Sequence, residues 1–293
     1  MNFTSISKIV EKAEEQGEKI SKVTLDISAE LSGRSAEDIY AQMLGNLNVM
    51  KDALETGMDS RLKSQTGMSG GMGYKMQQAV LGKKNITGDF VGEVIANALA
   101  ISELNACMGK IVAAPTAGSC GILPACLIAM QKRYDFSEED VVMAMLNASA
   151  VGMVIANSAT VSGAEGGCQA ECGAAAAMAA SAMVELMGGT PKMCGHAVAQ
   201  AIKSVLGLVC DPVAGLVEEP CVVRNASSAA VALVAAELSL AGIESLVPVD
   251  EVISAMREVG RMMHESLRET AGAGLANTPW ARAKEMEIFG KTE

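Results

Sequence analysis

The sequence predicts an all-α fold, a compact bundle of many helices whose glycine-rich connecting loops build the functional site, in one domain spanning 1–293. Three observations carry that expectation. The chain of 293 residues is half apolar yet holds only four Phe, three Tyr and one Trp. That composition suits closely packed helices and not sheets, which favour β-branched and aromatic side chains. Helix-capping signals recur along the chain, whereas strand signals are few and short.

The elements follow in order. Ser35 with Asp38 has capping-box spacing and opens the run AEDIYAQMLGNLNVMKDALETGM. Ser137 with Asp140 does the same for EEDVVMAMLNASAVG. The uncharged run from Val141 to Ala164 is long enough to raise the question of a membrane span, but it contains Asn147, Ser149, Asn157, Ser158, Thr160 and Ser162. Such groups are costly in lipid, so it reads as a core helix. AAAAMAASAMVELMGG reads as a helix whose small residues let neighbours approach closely, stopped by Gly188 and Gly189. Near the end, Asp250 can cap a helix on which Val252, Met256, Val259, Met263 and Leu267 form a core-facing stripe.

Charge and cysteine usage narrow the function classes. A formal net charge of −11 leaves no basic stripe for nucleic acid. The opening MNFTSISKIVEKAEEQGEKI alternates charges and lacks a long apolar signal core, which implies a cytoplasmic protein. Eight cysteines in that setting read as buried thiols with a metal or redox site, not as a disulfide frame.

Between the helices lie TGMSGGMGYK (66–75), PTAGSCG (115–121), VSGAEGGCQ (161–169) and GLVCDPVAGLVEEPC (207–221). The Ser/Gly stretch around 64–73 reads either as a mobile loop or as a rigid anion nest. Three cysteines stand in these joints. Cys168 follows Gly166 and Gly167, Cys210 precedes Asp211-Pro212, and Cys221 follows Pro220. Stiff turns make good ligand holders. The gaps of 42 and 11 residues match no compact zinc or ferredoxin signature, so spacing alone leaves metal binding and plain burial both open. Cys107, Cys120, Cys126, Cys172 and Cys194 lie in apolar or alanine-rich surroundings and read as packing.

Four stretches together carry a resemblance: AAPTAGSCGILPA, NSATVSGAEGGCQAECGAAAAMAASAMVELMGGTP, GLVCDPVAGLVEEPCVVRNA and LRETAGAGLANTP. They resemble the α subunit of the iron–sulfur-dependent L-serine dehydratases, the L-serine ammonia-lyases of bacteria. In that family three cysteines hold a [4Fe–4S] cluster, and the resemblance places them at Cys168, Cys210 and Cys221. It implies no ligand at Cys172. Three ligands on four irons leave one iron open, as a catalytic metal site requires. The implied reaction is β-elimination: an iron polarises the β-hydroxyl of L-serine, the α-proton is removed, and the aminoacrylate tautomerises and hydrolyses to pyruvate and ammonia.

The substrate carboxylate needs a pocket as well. Ser69, Gly70, Gly71 and Lys75 in one joint, and Thr116, Gly118 and Ser119 in another, are candidates, tilted toward substrate contact by the matching family motifs. Asn147, Asn157, Arg224 and Asn225 are further candidates, each of which could equally satisfy buried backbone groups.

The chain also departs from the family pattern. Single-chain relatives fuse an α part like this one to a β part with a Ser-Ser-His-Thr motif, thought to supply a catalytic histidine, and no such motif occurs here. His196 and His264 read as structural residues on amphipathic helices, so a β subunit is implied as partner. Some relatives close the resting cluster with a cysteine from the C-terminal tail, whereas the last cysteine here is Cys221. Trp280-Ala281 stands where the family continues from Thr-Pro with a small residue and glycine. Three alternatives remain open at this point: the same reaction on pyridoxal phosphate, a non-enzymatic iron–sulfur carrier or scaffold, and a related lyase acting on L-threonine or L-cysteine.

Overall fold

The computed structural model describes residues 3–290, and these form thirteen α-helices joined by turns. In chain order they are α1 (Ile6–Gln16), α2 (Ile20–Ser32), α3 (Ala36–Gly57), α4 (Met72–Leu81), α5 (Gly88–Ala106), α6 (Ile122–Tyr134), α7 (Glu138–Ser158), the single turn α8 (Gly163–Gly166), α9 (Ala174–Leu186), α10 (Pro191–Lys203), α11 (Cys221–Leu240), α12 (Val249–Met262) and α13 (Pro279–Phe289). No sheet forms among the described residues; one isolated bridge joins Cys210 to Arg268.

The core is built around α9. Every residue from Ala174 to Glu185 is buried, and α6, α7, α10 and α11 pack around it. A helix apolar on all sides must lie inside the protein, and alanine side chains let four neighbours close on it. The same close approach recurs at Ala100 of α5. A Cβ on Gly57 of α3 would sit 2.2 Å from the Ala100 carbonyl oxygen, and one on Gly73 of α4 would sit 2.7 Å from the Ala100 Cα. Two glycines therefore let two helices pinch one residue.

α7 and α11 have the length and apolarity of membrane spans, yet 67% and 50% of their most apolar windows are buried inside the protein. The polar residues of α7 find partners there. Asn147 donates from Nδ2 to Glu185 Oε2 (2.7 Å) and accepts from Ser181 Oγ (2.6 Å). An apolar cleft of about 320 Å³, lined by Met43, Met50, Met145, Met153 and Met178, opens beside Pro115 and Val161.

The caps at Ser35 and Ser137 form as expected, the second as a reciprocal capping box with Asp140. The role of Asp250 differs. α12 begins at Val249 with no side-chain cap, and Asp250 in its first turn reaches to α1 instead, accepting from Ser5 Oγ (2.8 Å), Ile6 N (2.8 Å) and Ser7 N (3.2 Å). α1 and α12 pack together, so one carboxylate serves the positive ends of both helices. The stripe on α12 is also shorter than its spacing suggests. Val252 and Met256 are buried and Val259 half-buried, but the helix stops at Met262, so Met263 and Leu267 lie beyond it.

Replacing Asp250 with alanine strips the free amides of α1 of their acceptor and should cost about 1–2 kcal/mol of stability. Urea denaturation checks this, with early proteolysis near residue 17 as the local sign; an unchanged midpoint would refute the shared cap.

Candidate metal centre

Three cysteines from separate segments meet in the interior. Cys168 follows α8 and opens a wide π-type turn, Gln169–Gly173, that feeds α9. Gly167 has φ +76°, and a Cβ there would press to 2.7 Å from the sulfur of Met263 and 2.8 Å from the Leu208 carbonyl, so the chain can enter Cys168 only through glycine. Gln169 fixes the turn: its side chain donates to Met256 O (3.0 Å) and accepts from Gly207 N (3.0 Å), while its own amide donates to Leu208 O (3.0 Å). Cys210 lies in extended chain clasped by the C-terminal segment, donating from its amide to Leu267 O (2.8 Å) and accepting from Glu269 N (2.7 Å). Cys221 is the first residue of α11, where the helix dipole favours a thiolate. The three are 2%, 3% and 8% exposed.

Arg224, one turn along α11 from Cys221, supplies the cation of the site. Its Nη1 donates to Val209 O (2.8 Å) and its Nη2 pairs with Asp211 Oδ1 (2.8 Å). The other oxygen of Asp211 accepts from Leu275 N (2.7 Å). Burial works against the Arg224 charge, but Cys168, Asp211 and Cys221 outweigh it and hold the guanidinium firmly protonated.

The thiols respond to one another. Cys172, four residues beyond Cys168, brings its sulfur to 3.3 Å from that of Cys168. Donation by Cys172, with help from the Arg224 charge, lowers the Cys168 pKa below the ordinary thiol value against the pull of burial. Cys172 correspondingly keeps its proton, its pKa raised by that hydrogen bond and by burial. Burial pushes the Cys221 thiol up to about 12, with the charges of Cys168 and Glu171 adding to it. Cys210 is raised further by burial, then by Glu171, Cys168 and Cys221.

No group of three or more His, Cys, Asp or Glu among the described residues is drawn in tightly enough for a single metal ion. A cluster is a larger body, and its thiolate ligands stand correspondingly farther apart. Cys168, Cys210 and Cys221 fit such a body: each is buried, the charge of Cys168 reaches both Cys210 and Cys221, that of Cys221 reaches Cys210, and the Arg224 guanidinium faces Cys168 and Cys221. Gly163 leaves the necessary space, since a Cβ there would stand 3.1 Å from Cys210 Sγ.

Glu171 is a site residue that the motifs did not single out, although three residues after Cys168 is the spacing that puts two side chains on one helix face. Its Oε1 accepts from Thr116 Oγ1 (2.9 Å), and its Oε2 lies 3.9 Å from Cys210 Sγ. Burial raises its pKa against the hydrogen bond from Thr116, and the charge of Glu269 adds to the rise.

The structure sorts the candidate substrate contacts. Thr116, Gly118 and Ser119 come to this carboxylate: Thr116 Oγ1 and Ser119 Oγ are 3.0 Å apart, and a Cβ on Gly118 would sit 3.1 Å from Glu171 Oε1. Asn225 straps that turn to α11, donating to Gly118 O (2.7 Å) and Cys221 O (2.9 Å) and accepting from Gly121 N (2.9 Å). Asn225 and Arg224 are thus at the site as its internal ties.

The 64–73 stretch is a nest already filled by the protein. Gly70 N (2.8 Å) and Met72 N (3.0 Å) donate to Glu103 Oε1, and Gly73 N donates to Oε2 (2.9 Å), placing a fully buried carboxylate at the amino end of α4. The Gly70 amide is therefore committed to Glu103 and not to a substrate. Gly71 caps α4 with φ +73°, Ser69 is buried and Lys75 is exposed. Thr66 Oγ1 ties this stretch to the 207–221 segment by donating to Glu218 Oε1 (2.9 Å).

Asn147 and Asn157 are not brought to the thiols. Asn147 belongs to the α7–α9 network with Glu185, Ser181 and Cys194, and the exposed Asn157 holds the Phe3 carbonyl (2.7 Å). Of the histidines, His196 is on α10 and accepts from Ser245 N (3.2 Å). His264 is not on a helix; it follows the end of α12 and caps a short turn by accepting from Ser266 N (3.2 Å).

Fold and site define an all-α protein whose loops converge on buried thiols. Residues 3–276 match the family model described as Serine dehydratase alpha chain. The probable L-serine dehydratase alpha chain of Bacillus subtilis is 45% identical over 98% of this chain and 96% of its own length. The L-serine dehydratase alpha chain of Peptoniphilus asaccharolyticus is 45% identical over 92% of each chain. The L-serine dehydratase TdcG of Escherichia coli is 35% identical over 94% of this chain but only 62% of its own length. This chain belongs to the serine dehydratase alpha chain family, a family of enzymes.

Replacing Glu103 with alanine leaves three amides, one buried and two part-buried, without an acceptor and should cost about 3 kcal/mol. Equilibrium denaturation measures the loss, and hydrogen exchange should show new opening at 70–73; protection unchanged there would show that the nest does not depend on this carboxylate.

Proposed function

We propose that this chain carries a [4Fe–4S] cluster on Cys168, Cys210 and Cys221 and uses it, with a β subunit, to convert L-serine to pyruvate and ammonia. The observation that carries the reading is the convergence of three buried thiols from separate segments, Cys168 and Cys221 beside the guanidinium of Arg224 and Cys210 within reach of the charges of both. When bound, a cluster with three protein ligands presents one open iron, a Lewis acid for the departing β-hydroxyl.

The chain's own residues do the rest of the positioning. Arg224 offsets the negative charge of the ligating sulfurs and, through Val209 and Asp211, holds the backbone on both sides of Cys210. Asn225 fixes the 115–121 turn beside them, where Gly118, Ser119 and Thr116 are candidates to receive the serine carboxylate. Ser69, Gly71 and Lys75 are outer candidates for the same role. Burial of the thiols keeps water from the ligating atoms and strengthens each electrostatic contact within the site.

Removal of the α-proton needs a positioned base. His196 is engaged with Ser245 and His264 with Ser266, so the base is assigned to the partner. The length of the Escherichia coli relative beyond the matched region and the name "alpha chain" borne by the other relatives both support a β component.

Two outcomes test this reading. Alanine at Cys168, Cys210 or Cys221 should reduce bound iron to background after anaerobic reconstitution and abolish pyruvate formation, while Cys172→Ala keeps its iron; full iron and activity in Cys210→Ala would sink the assignment. The cluster-loaded α chain alone should turn over serine slowly, and addition of the β subunit should raise the rate by a factor of roughly 100 to 10,000. Full turnover by the α chain alone, lost in His196→Ala or His264→Ala, would instead place the base in this chain.

A further inference from the structure

We infer that Glu171 receives the α-ammonium group of serine, and that it is the residue by which the site selects an amino acid over a hydroxy acid. The inference rests on the proposed cluster and reaction and adds the group that reads the substrate's positive charge.

The geometry is that of a half-buried carboxylate with one good partner and one poor one. Oε1 accepts from Thr116 Oγ1 at 2.9 Å. Oε2 has a single neighbouring donor, the thiol of Cys210 at 3.9 Å. A cysteine that ligates metal is deprotonated and has no hydrogen to give. With the cluster in place, Oε2 loses that donor and is open to a better one.

Among the described residues no lysine or arginine acts on Glu171. Arg224 is engaged with Asp211 and Val209, and the other acid acting on Glu171 is Glu269, which adds negative charge. The irons offset the three thiolates but leave Glu171, which is not a ligand, without a counterion. A compact cation carrying several N–H donors completes the site, and the α-ammonium of serine is one. Glu171 also lies between Cys210 and the turn bearing Thr116 and Ser119. An ammonium at Oε2 therefore sets the serine hydroxyl toward the ligand side and its carboxylate toward the turn. Exposed Glu269 is the weaker receptor, because water screens it.

The test uses the cluster-loaded α–β enzyme with L-serine as substrate and L-glycerate, in which a hydroxyl replaces the ammonium, as competing ligand. Glu171→Gln should retain iron and visible cluster absorption. It should raise the KM for L-serine on the order of 10- to 100-fold, the range of a lost charge-assisted hydrogen bond. Its affinity for L-glycerate, measured by calorimetric titration, should stay nearly unchanged or improve. Glu171→Asp, which keeps the charge on a shorter arm, should recover part of the serine KM.

Equal weakening of both ligands, or no change in either, would overturn the ammonium assignment. Loss of iron from both variants would make Glu171 a ligand or a structural tie and overturn it too. A wild-type α–β enzyme that loads iron but does not consume serine would instead defeat the proposed function, and this inference with it.

Discussion

The guanidinium of Arg224 is buried against Cys168, Cys221 and Asp211, and the arrangement of the thiol site depends on it. A buried cation is tolerated only where its charge and its hydrogens are met. Here a carboxylate, a backbone carbonyl and neighbouring sulfurs meet them, drawn from Cys168 on one side and from residues 209–221 on the other. The planar fork of arginine reaches Val209 and Asp211 at once, which the single point charge of a lysine would not do. Cys210 is thereby fixed between two residues that the same side chain holds, and Cys221 follows because it starts the helix on which Arg224 sits.

Around that cation the polar interior divides into separate systems. Glu103 closes the nest at α4, Glu185 with Asn147 and Ser181 joins α7 to α9, and Asp250 joins α1 to α12. In each, an acidic side chain meets backbone amides or a neutral amide, and the buried group is satisfied locally. Glu171 stands apart because half of its carboxylate faces only a thiol. A polar group left short of a strong donor beside the thiols is where a ligand has something to add.

Much of the scaffold was legible in the sequence because its signals are local. Ser35 and Ser137 cap the helices that follow them, and the alanine run from Ala174 becomes the buried centre. The three cysteines stand out by their glycine and proline settings, and the fold buries all three. Other features depend on partners that spacing does not reveal. Asp250 reads as the cap of its own helix, yet it serves amides more than 240 positions earlier. The 64–73 stretch leaves a mobile loop and a rigid nest both open in sequence, and nothing near it shows that Glu103 makes it a nest. Asn147 and Asn157 have the chemistry of substrate contacts and are instead internal ties. Glu171 was hidden because its meaning comes from Thr116 and Cys210, residues that meet it only in the fold.

The clasp on Cys210 has a consequence for how the protein comes into being. Leu267, Glu269 and Leu275 hold the backbone of Cys210 and the carboxylate of Asp211, and all three are made after every cysteine of the chain. At synthesis rates of about 5–20 residues per second, roughly 3 to 10 s separate the addition of Cys221 from that of Leu275. During that interval the thiols exist on a nascent chain that lacks their enclosing strap. The thiol site is therefore completed last, and the cluster proposed for it would enter either an open nascent chain or a finished subunit whose C-terminal segment must give way.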